Sequence, residues 1–228
     1  MNAETVEGKA LPYILVRPDT FQPAGSYPLV VLLHGFGADM HDLAALAPVI
    51  DASGYVYAFP NAPYRVDLGL GAAGYSWALG RPGVEAPPLP GPSAEELLGS
   101  SMDELRYTIG ARDGAMVLGG FSQGGGLSLR YGLPRPDVFA GIAVLSGFFR
   151  DAAEIKANLP QDRNQAVFVV HGRQDPIVNI ELGRQTRAFL EDAGYQLDYH
   201  EYDMAHQITP EVITDLQVWL HKTLPPMQ

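Results

Sequence analysis

The chain has 228 residues, no cysteine and a formal net charge of −11. The lack of cysteine rules out disulfides, thiolate zinc sites and a cysteine nucleophile. No Lys/Arg-rich run appears, so nucleic acid and anionic membrane surfaces are poor partners. The length suits a single α/β domain over residues 1–228. The N-terminal stretch MNAETVEGKALPY has neither the basic start nor the apolar core of a secretory signal, which makes a cytoplasmic protein the expectation. Apolar runs such as Leu29–Leu33 and Phe168–Val170 are too short to insert stably in a bilayer.

Short apolar runs alternate with amphipathic segments along the chain. Pro12–Arg17 and Tyr27–Leu33 read as strands. A helix is expected over His41–Ser53, with Leu43, Leu46, Val49 and Ile50 at helical spacing and Gly54 as its C-cap. Tyr55–Phe59 reads as the next strand. Leu79–Pro92 is dense in glycine and proline, so it reads as a loop, either a plain surface excursion or a rim over the substrate site. Ser93 followed by Glu96 forms a capping-box signature for a helix running to about Arg112. Ala115–Gly119 is a short buried strand and Gly124–Tyr131 a helix. Phe139–Leu145, Ala166–Val170 and Gln196–Tyr202 are further strands; Asn179–Ala193 and Pro210–Leu224 are further helices. Strands alternating with helices of this length predict a mostly parallel central sheet covered on both faces.

The chemistry centres on Gly119-Gly120-Phe121-Ser122-Gln123-Gly124-Gly125, which contains G-x-S-x-G. A serine at the tip of a strand-to-helix turn sits in a strained backbone, and side chains two residues to either side would collide there. The strand Ala115–Leu118 runs into the motif and a helix-compatible stretch leaves it, which is the setting the motif needs. A glycine-rich structural turn with an incidental serine is the bland alternative.

Ser122 requires a base, because a serine hydroxyl is a weak nucleophile at neutral pH. The order nucleophile, acid, histidine leaves His171, His200, His206 and His221 as candidates. His221 falls in the last helix and His200 inside a strand, whereas His206 follows a strand and precedes the helix start at Pro210. Loops at strand carboxyl ends build the sites of open α/β sheets, so His206 is the expected base. Asp175, shortly after the strand ending at Gly172, is the expected orienting acid; Asp203 reads as a solvated loop acid and His171 as a structural strand-end residue. The backbone N–H of Gln123 and that of Phe36, in the His34-Gly35-Phe36-Gly37 loop after Leu29–Leu33, are the expected oxyanion donors. His34, Asp39, His41 and Asp42 cluster in sequence, but a metal is not expected because no second group with ligand spacing accompanies them and a serine mechanism uses none.

With these pieces in place, the chain resembles the phospholipase/carboxylesterase family of small α/β-hydrolases, which includes acyl-protein thioesterases. The matching segments are Leu32–Asp39 (LLHGFGAD), Phe59–Pro63 (FPNAP), Gly74–Trp77 (GYSW), Gly119–Gly125 (GGFSQGG), Leu145–Gly147 (LSG), His171–Val178 (HGRQDPIV) and Ala205–Thr209 (AHQIT). The resemblance implies an α/β-hydrolase fold. It also implies hydrolysis of carboxylic esters by Ser122, Asp175 and His206 without a cofactor, with an acyl thioesterase or lysophospholipase activity as the alternative. Phe36, Trp77 and Phe148 are candidates for the substrate pocket, with Tyr75 and Phe149 beside them, against a reading as ordinary core packing. A small-molecule ester is the expected partner and a homodimer is compatible with the sequence. A non-hydrolytic binding protein on the same scaffold is the reading from a different functional class.

Overall fold

Every residue of Leu29–Leu33 is buried, which requires a strand covered on both sides. Its odd positions, Leu29, Val31 and Leu33, enter one apolar core; Val30 and Leu32 enter another. This two-sided burial recurs across the computed structural model, which describes residues 1–23, 25–79, 90–149 and 152–227.

In chain order the elements are β1 (Asn2–Val6), β2 (Tyr13–Arg17), β3 (Leu29–Leu33), α1 (Ala47–Ile50), β4 (Val56–Pro60), β5 (Tyr64–Gly69), β6 (Ala72–Ser76), α2 (Ala94–Ile109), β7 (Met116–Phe121), α3 (Gln123–Gly132), β8 (Phe139–Leu145), α4 (Ala152–Ala157), β9 (Ala166–Gly172), α5 (Ile180–Asp192), β10 (Leu197–Tyr202) and α6 (Pro210–Thr223). Eight strands form one sheet in the order β1-β2-β4-β3-β7-β8-β9-β10. Strands β4, β3, β7, β8, β9 and β10 run parallel, and β2 and β1 close one edge antiparallel. One core joins the sheet to α2, α3 and α5 through residues such as Leu98, Leu105, Leu129 and Leu190. The opposite core joins it to α1 and α6 through Ala47, Ile50, Val212, Leu216 and Trp219. Fully buried side chains such as Phe168 contribute roughly 1.5–3 kcal/mol each.

β3 lies between β4 and β7, and the chain winds away from it in both directions. Such a switch point leaves a crevice at the carboxyl ends of the strands. The loops after β3, β7, β9 and β10 all open there.

The fold departs from the sequence reading at several places. The expected helix over His41–Ser53 is only a 3₁₀ turn at Ala44–Leu46 followed by one turn of α1. Pro48, in the first turn of α1, has no N–H to donate back to Ala44, so a helix cannot run through it. Leu43 and Ile50 are still buried, while Val49 is exposed. Gly54 is not a C-cap; α1 ends at an extended Asp51. Gly54 is instead a close-packing position, where a Cβ would lie 2.3 Å from Pro226. α2 begins on Ser93 with a complete capping box, worth about 1 kcal/mol, but stops at Ile109 because Gly110 turns left-handed with φ 67°. β1 and the β5–β6 hairpin were not legible as strands, being polar or glycine-rich and largely exposed. α4, at six residues, also escaped.

Candidate active site

β7 delivers the chain to Ser122 at φ 53°, ψ −115° before α3 begins at Gln123. A non-glycine residue in this region stores about 1–3 kcal/mol of strain. Two backbone bonds hold it: Ser122 N–H donates to Leu145 C=O at 2.8 Å, and Gly126 N–H donates to Ser122 C=O at 3.1 Å. The flanking glycines are required by space. A Cβ on Gly120 would lie 2.5 Å from the Gly124 carbonyl carbon, and one on Gly124 would lie 2.2 Å from the Leu33 carbonyl oxygen. The turn therefore packs the start of α3 directly on the end of β3.

The other two residues come from neighbouring loops. His206 follows β10 and Asp175 follows β9, and these strands pair side by side. His206 Nδ1 lies 2.6 Å from Asp175 Oδ2. The carboxylate accepts, so Nδ1 carries the proton and Nε2 is left with a free lone pair. The Asp175 carboxyl is wholly buried, whereas the His206 side chain is partly exposed. Asp175 Oδ1 accepts from the N–H groups of Ile177 and Val178, both at 2.8 Å. A carboxylate fixed by two backbone donors presents its second oxygen in one direction only. Behind His206 stands the Phe121 ring, 4.6 Å away between centroids.

The competing residues are placed elsewhere. Asp203 is exposed and bonded to Arg173 at 2.8 Å. His200 bonds Asp198 at 2.7 Å on β10, and His221 bonds Asp51 at 3.0 Å on α6. His171 is fully buried beside Asp175, with Nε2 at 3.7 Å from Oδ2.

The loop carrying Phe36 is anchored from below and from the side. His34 is buried; its Nδ1 donates to Gly35 C=O at 2.8 Å and its Nε2 accepts the Ala62 N–H at 3.0 Å. Burial holds its pKa below the ordinary 6.5. Both ring nitrogens thus serve backbone groups, while His41, from the same sequence cluster, is exposed and rests on Asp39. Among the described residues no group of three His, Cys, Asp or Glu side chains is placed to hold a metal ion. Gly37 and Ala38 pair with Tyr75 by two backbone bonds of 2.8 and 2.9 Å. Gly74 makes that pairing possible, since a Cβ there would lie 1.9 Å from the Gly37 carbonyl oxygen. Among the described residues, the N–H groups of Phe36 and Gln123 have no backbone acceptor.

A cavity of about 500 Å³ opens over this constellation. Ser122, Phe121, His206, Gly35, Phe36 and Gln123 line its floor, and Trp77, Phe148, Phe149, Leu127, Ile155 and Val178 supply apolar walls. Phe36, Trp77 and Phe148 therefore all reach the cavity. Trp77 is also a core residue, its indole N–H bonded to His34 C=O at 2.9 Å. Tyr75 does not line the cavity; it packs against the core and holds the Phe36 loop through its backbone. Leu79 borders the cavity, but residues 80–89 of the expected Leu79–Pro92 rim lie outside the described residues.

Sequence reasoning overlooked the side chain of Gln123. Its Oε1 accepts from Trp77 N–H at 2.9 Å and its Nε2 donates to Ser76 Oγ at 3.0 Å. This ties the start of α3 to the end of β6, and the signal for it was the co-occurrence of the GFSQGG and GYSW segments. Ile177 and Val178 were also overlooked, although they immediately follow Asp175 and border the cavity.

A parallel sheet with an elbow serine, and a histidine on a buried carboxylate at adjacent strand ends, define the α/β-hydrolase fold. A model of the phospholipase/carboxylesterase family matches residues 92–224. Acyl-protein thioesterase 1 of Mycosarcoma maydis is 34% identical over 218 residues, covering 85% of this chain and 90% of that protein. The chain belongs to the phospholipase/carboxylesterase family of hydrolases. Among solved structures, esterase PE8 superposes with a TM-score of 0.76 at 24% identity, covering 92% of this chain and 97% of its own. A carboxylesterase from Mesorhizobium loti gives 0.75 at 16% identity, covering 96% and 99%. These two likenesses speak to the fold. No helix of the described residues is long and apolar enough to cross a membrane.

Proposed function

We propose that this chain is a serine carboxylesterase acting on small to medium acyl esters, with Ser122 as nucleophile, His206 as base and Asp175 as the residue that orients the base. The observation carrying the reading is the 2.6 Å contact of His206 Nδ1 with Asp175 Oδ2, with His206 and the strained Ser122 lining one apolar cavity. His206 Nε2 takes the proton as Ser122 Oγ attacks the ester carbonyl. The Phe36 and Gln123 N–H groups receive the oxyanion, supported by the N-terminus of α3. The alkoxide leaves with the proton from His206, and water then cleaves the acyl-enzyme through the same base. Each proton and charge in this scheme has a protein group to handle it, so no cofactor or metal is invoked. Phe36, Trp77 and Phe148 contact the acyl group, and the partner is a small-molecule ester in the cytoplasm. Whether a homodimer forms is decided by its sedimentation in solution.

The second reading is thioester hydrolysis, favoured by the 34% identity to a protein named acyl-protein thioesterase 1. A panel of p-nitrophenyl esters of rising chain length, run beside a medium-chain acyl-CoA, separates the two. The ester reading expects kcat/KM to peak at short or medium chains and to exceed that for the thioester. A maximum on the thioester would overturn the ester preference and leave the nucleophile assignment standing.

A further inference from the structure

Another histidine, His171, lies buried beside Asp175, and the reaction scheme does not use it. His171 is the penultimate residue of β9, with its side chain fully buried. Its Nε2 is 2.8 Å from the Val178 carbonyl oxygen, which can only accept, so Nε2 carries the ring proton. Val178 is bonded from both sides. Its C=O accepts a hydrogen bond from His171 Nε2–H, and its N–H donates to Asp175 Oδ1 at 2.8 Å. That oxygen is thereby committed, and the remaining one, Oδ2, is the oxygen that meets His206. His171 Nε2 also lies 3.7 Å from Oδ2, close to the carboxylate but beyond hydrogen-bond range.

The surroundings hold the ring tightly. α5 crosses it at Gly183, where a Cβ would lie 2.7 Å from His171 Nδ1. Nδ1 itself is buried without a hydrogen-bond partner among the described residues. Leaving a buried acceptor unmatched costs about 1–3 kcal/mol. An apolar side chain would fill the same space without that cost, so the Nε2 donor must be what the position requires.

We infer that His171 is a positioning residue for the Asp175–His206 pair. It clamps the loop after β9 by fixing Val178, which fixes Asp175, which aims His206. This inference rests on the proposed roles of Ser122, Asp175 and His206. A loop-end shift of 1 Å in such a chain can lower turnover by about a hundredfold.

The test compares H171N with H171Q. Asparagine places its N–H near the Nδ1 position, short of Val178, whereas glutamine places one near Nε2. With p-nitrophenyl butyrate as probe, H171N should lose roughly ten- to a hundredfold in kcat with KM within about threefold, and H171Q should recover most of that loss. In proton NMR, the low-field signal of the His206 Nδ1–H on Asp175 should persist in the native protein and H171Q and vanish or move upfield in H171N. A folded H171N with native kcat and an unmoved signal would overturn the inference, as would H171Q as impaired as H171N. Failure of the esterase reading is separate: the native protein would then not turn over the ester, while the NMR comparison would still decide the clamp.

Discussion

Ser122 occupies φ 53°, ψ −115°, a backbone region that glycine enters freely and L residues do not. Replacing it by alanine removes the hydroxyl but keeps the Cβ and therefore the strain. Replacing it by glycine removes both. Strain relief is worth about 1–3 kcal/mol, and the extra unfolded-state freedom of glycine takes back roughly 0.5–1 kcal/mol. The net expectation is that S122G is more stable than S122A by about 0–2.5 kcal/mol, centred on about 1 kcal/mol, or a few degrees in Tm at roughly 2–4 °C per kcal/mol for a chain of this size. Differential scanning calorimetry on the two variants reads this directly. An S122G that melts below S122A would refute the claim that the elbow stores strain at this residue.

Other expectations follow from single contacts. Q123A strips the acceptor from Trp77 N–H and the donor to Ser76 Oγ; it should destabilise by about 1–3 kcal/mol in urea unfolding and raise KM as the Trp77 wall loosens. G124A drives a Cβ to 2.2 Å from the Leu33 carbonyl oxygen; backbone must move, and kcat should fall by about a hundredfold or more while circular dichroism remains native-like. His34 is held neutral by burial, with its pKa below 6.5. The unfolded chain therefore binds the extra proton first, and this residue's share of stability is present above pH 6.5 and is lost as pH falls below it. An H34Q variant should show a flatter Tm-against-pH curve between about pH 7 and 5. With a net charge of −11, turnover of an anionic acyl-CoA should rise with added salt as repulsion is screened, whereas that of a neutral ester should not.

Much of this site could be read from the sequence because the chemistry constrains it locally. The glycines of the elbow are fixed by contacts between the ends of β3, β7 and α3, so the motif reports the turn on its own. That Asp175 and His206 would lie side by side was foreseeable because each follows a strand of the sheet, the apolar β9 for Asp175 and the more polar β10 for His206. What the sequence hid depends on contacts between distant segments. The Gln123 side chain reaches across to Trp77, His34 reaches Ala62, and His171 reads as a structural residue until Val178 is seen to sit between it and Asp175. The same applies to the fold. Apolar periodicity located the strands of the parallel sheet, but it suggested a helix over His41–Ser53 that Pro48 forbids, and it passed over the exposed β5–β6 hairpin whose Gly74 seats the Phe36 loop.

The central claim is that Ser122 is the nucleophile. Incubation with a fluorophosphonate, followed by peptide mass mapping, tests it most directly. The account predicts one stoichiometric adduct, on the peptide containing Ser122, with loss of esterase activity in step with labelling and no adduct in S122A. Labelling of a different serine, or unlabelled Ser122 in a protein that still turns over ester, would contradict it.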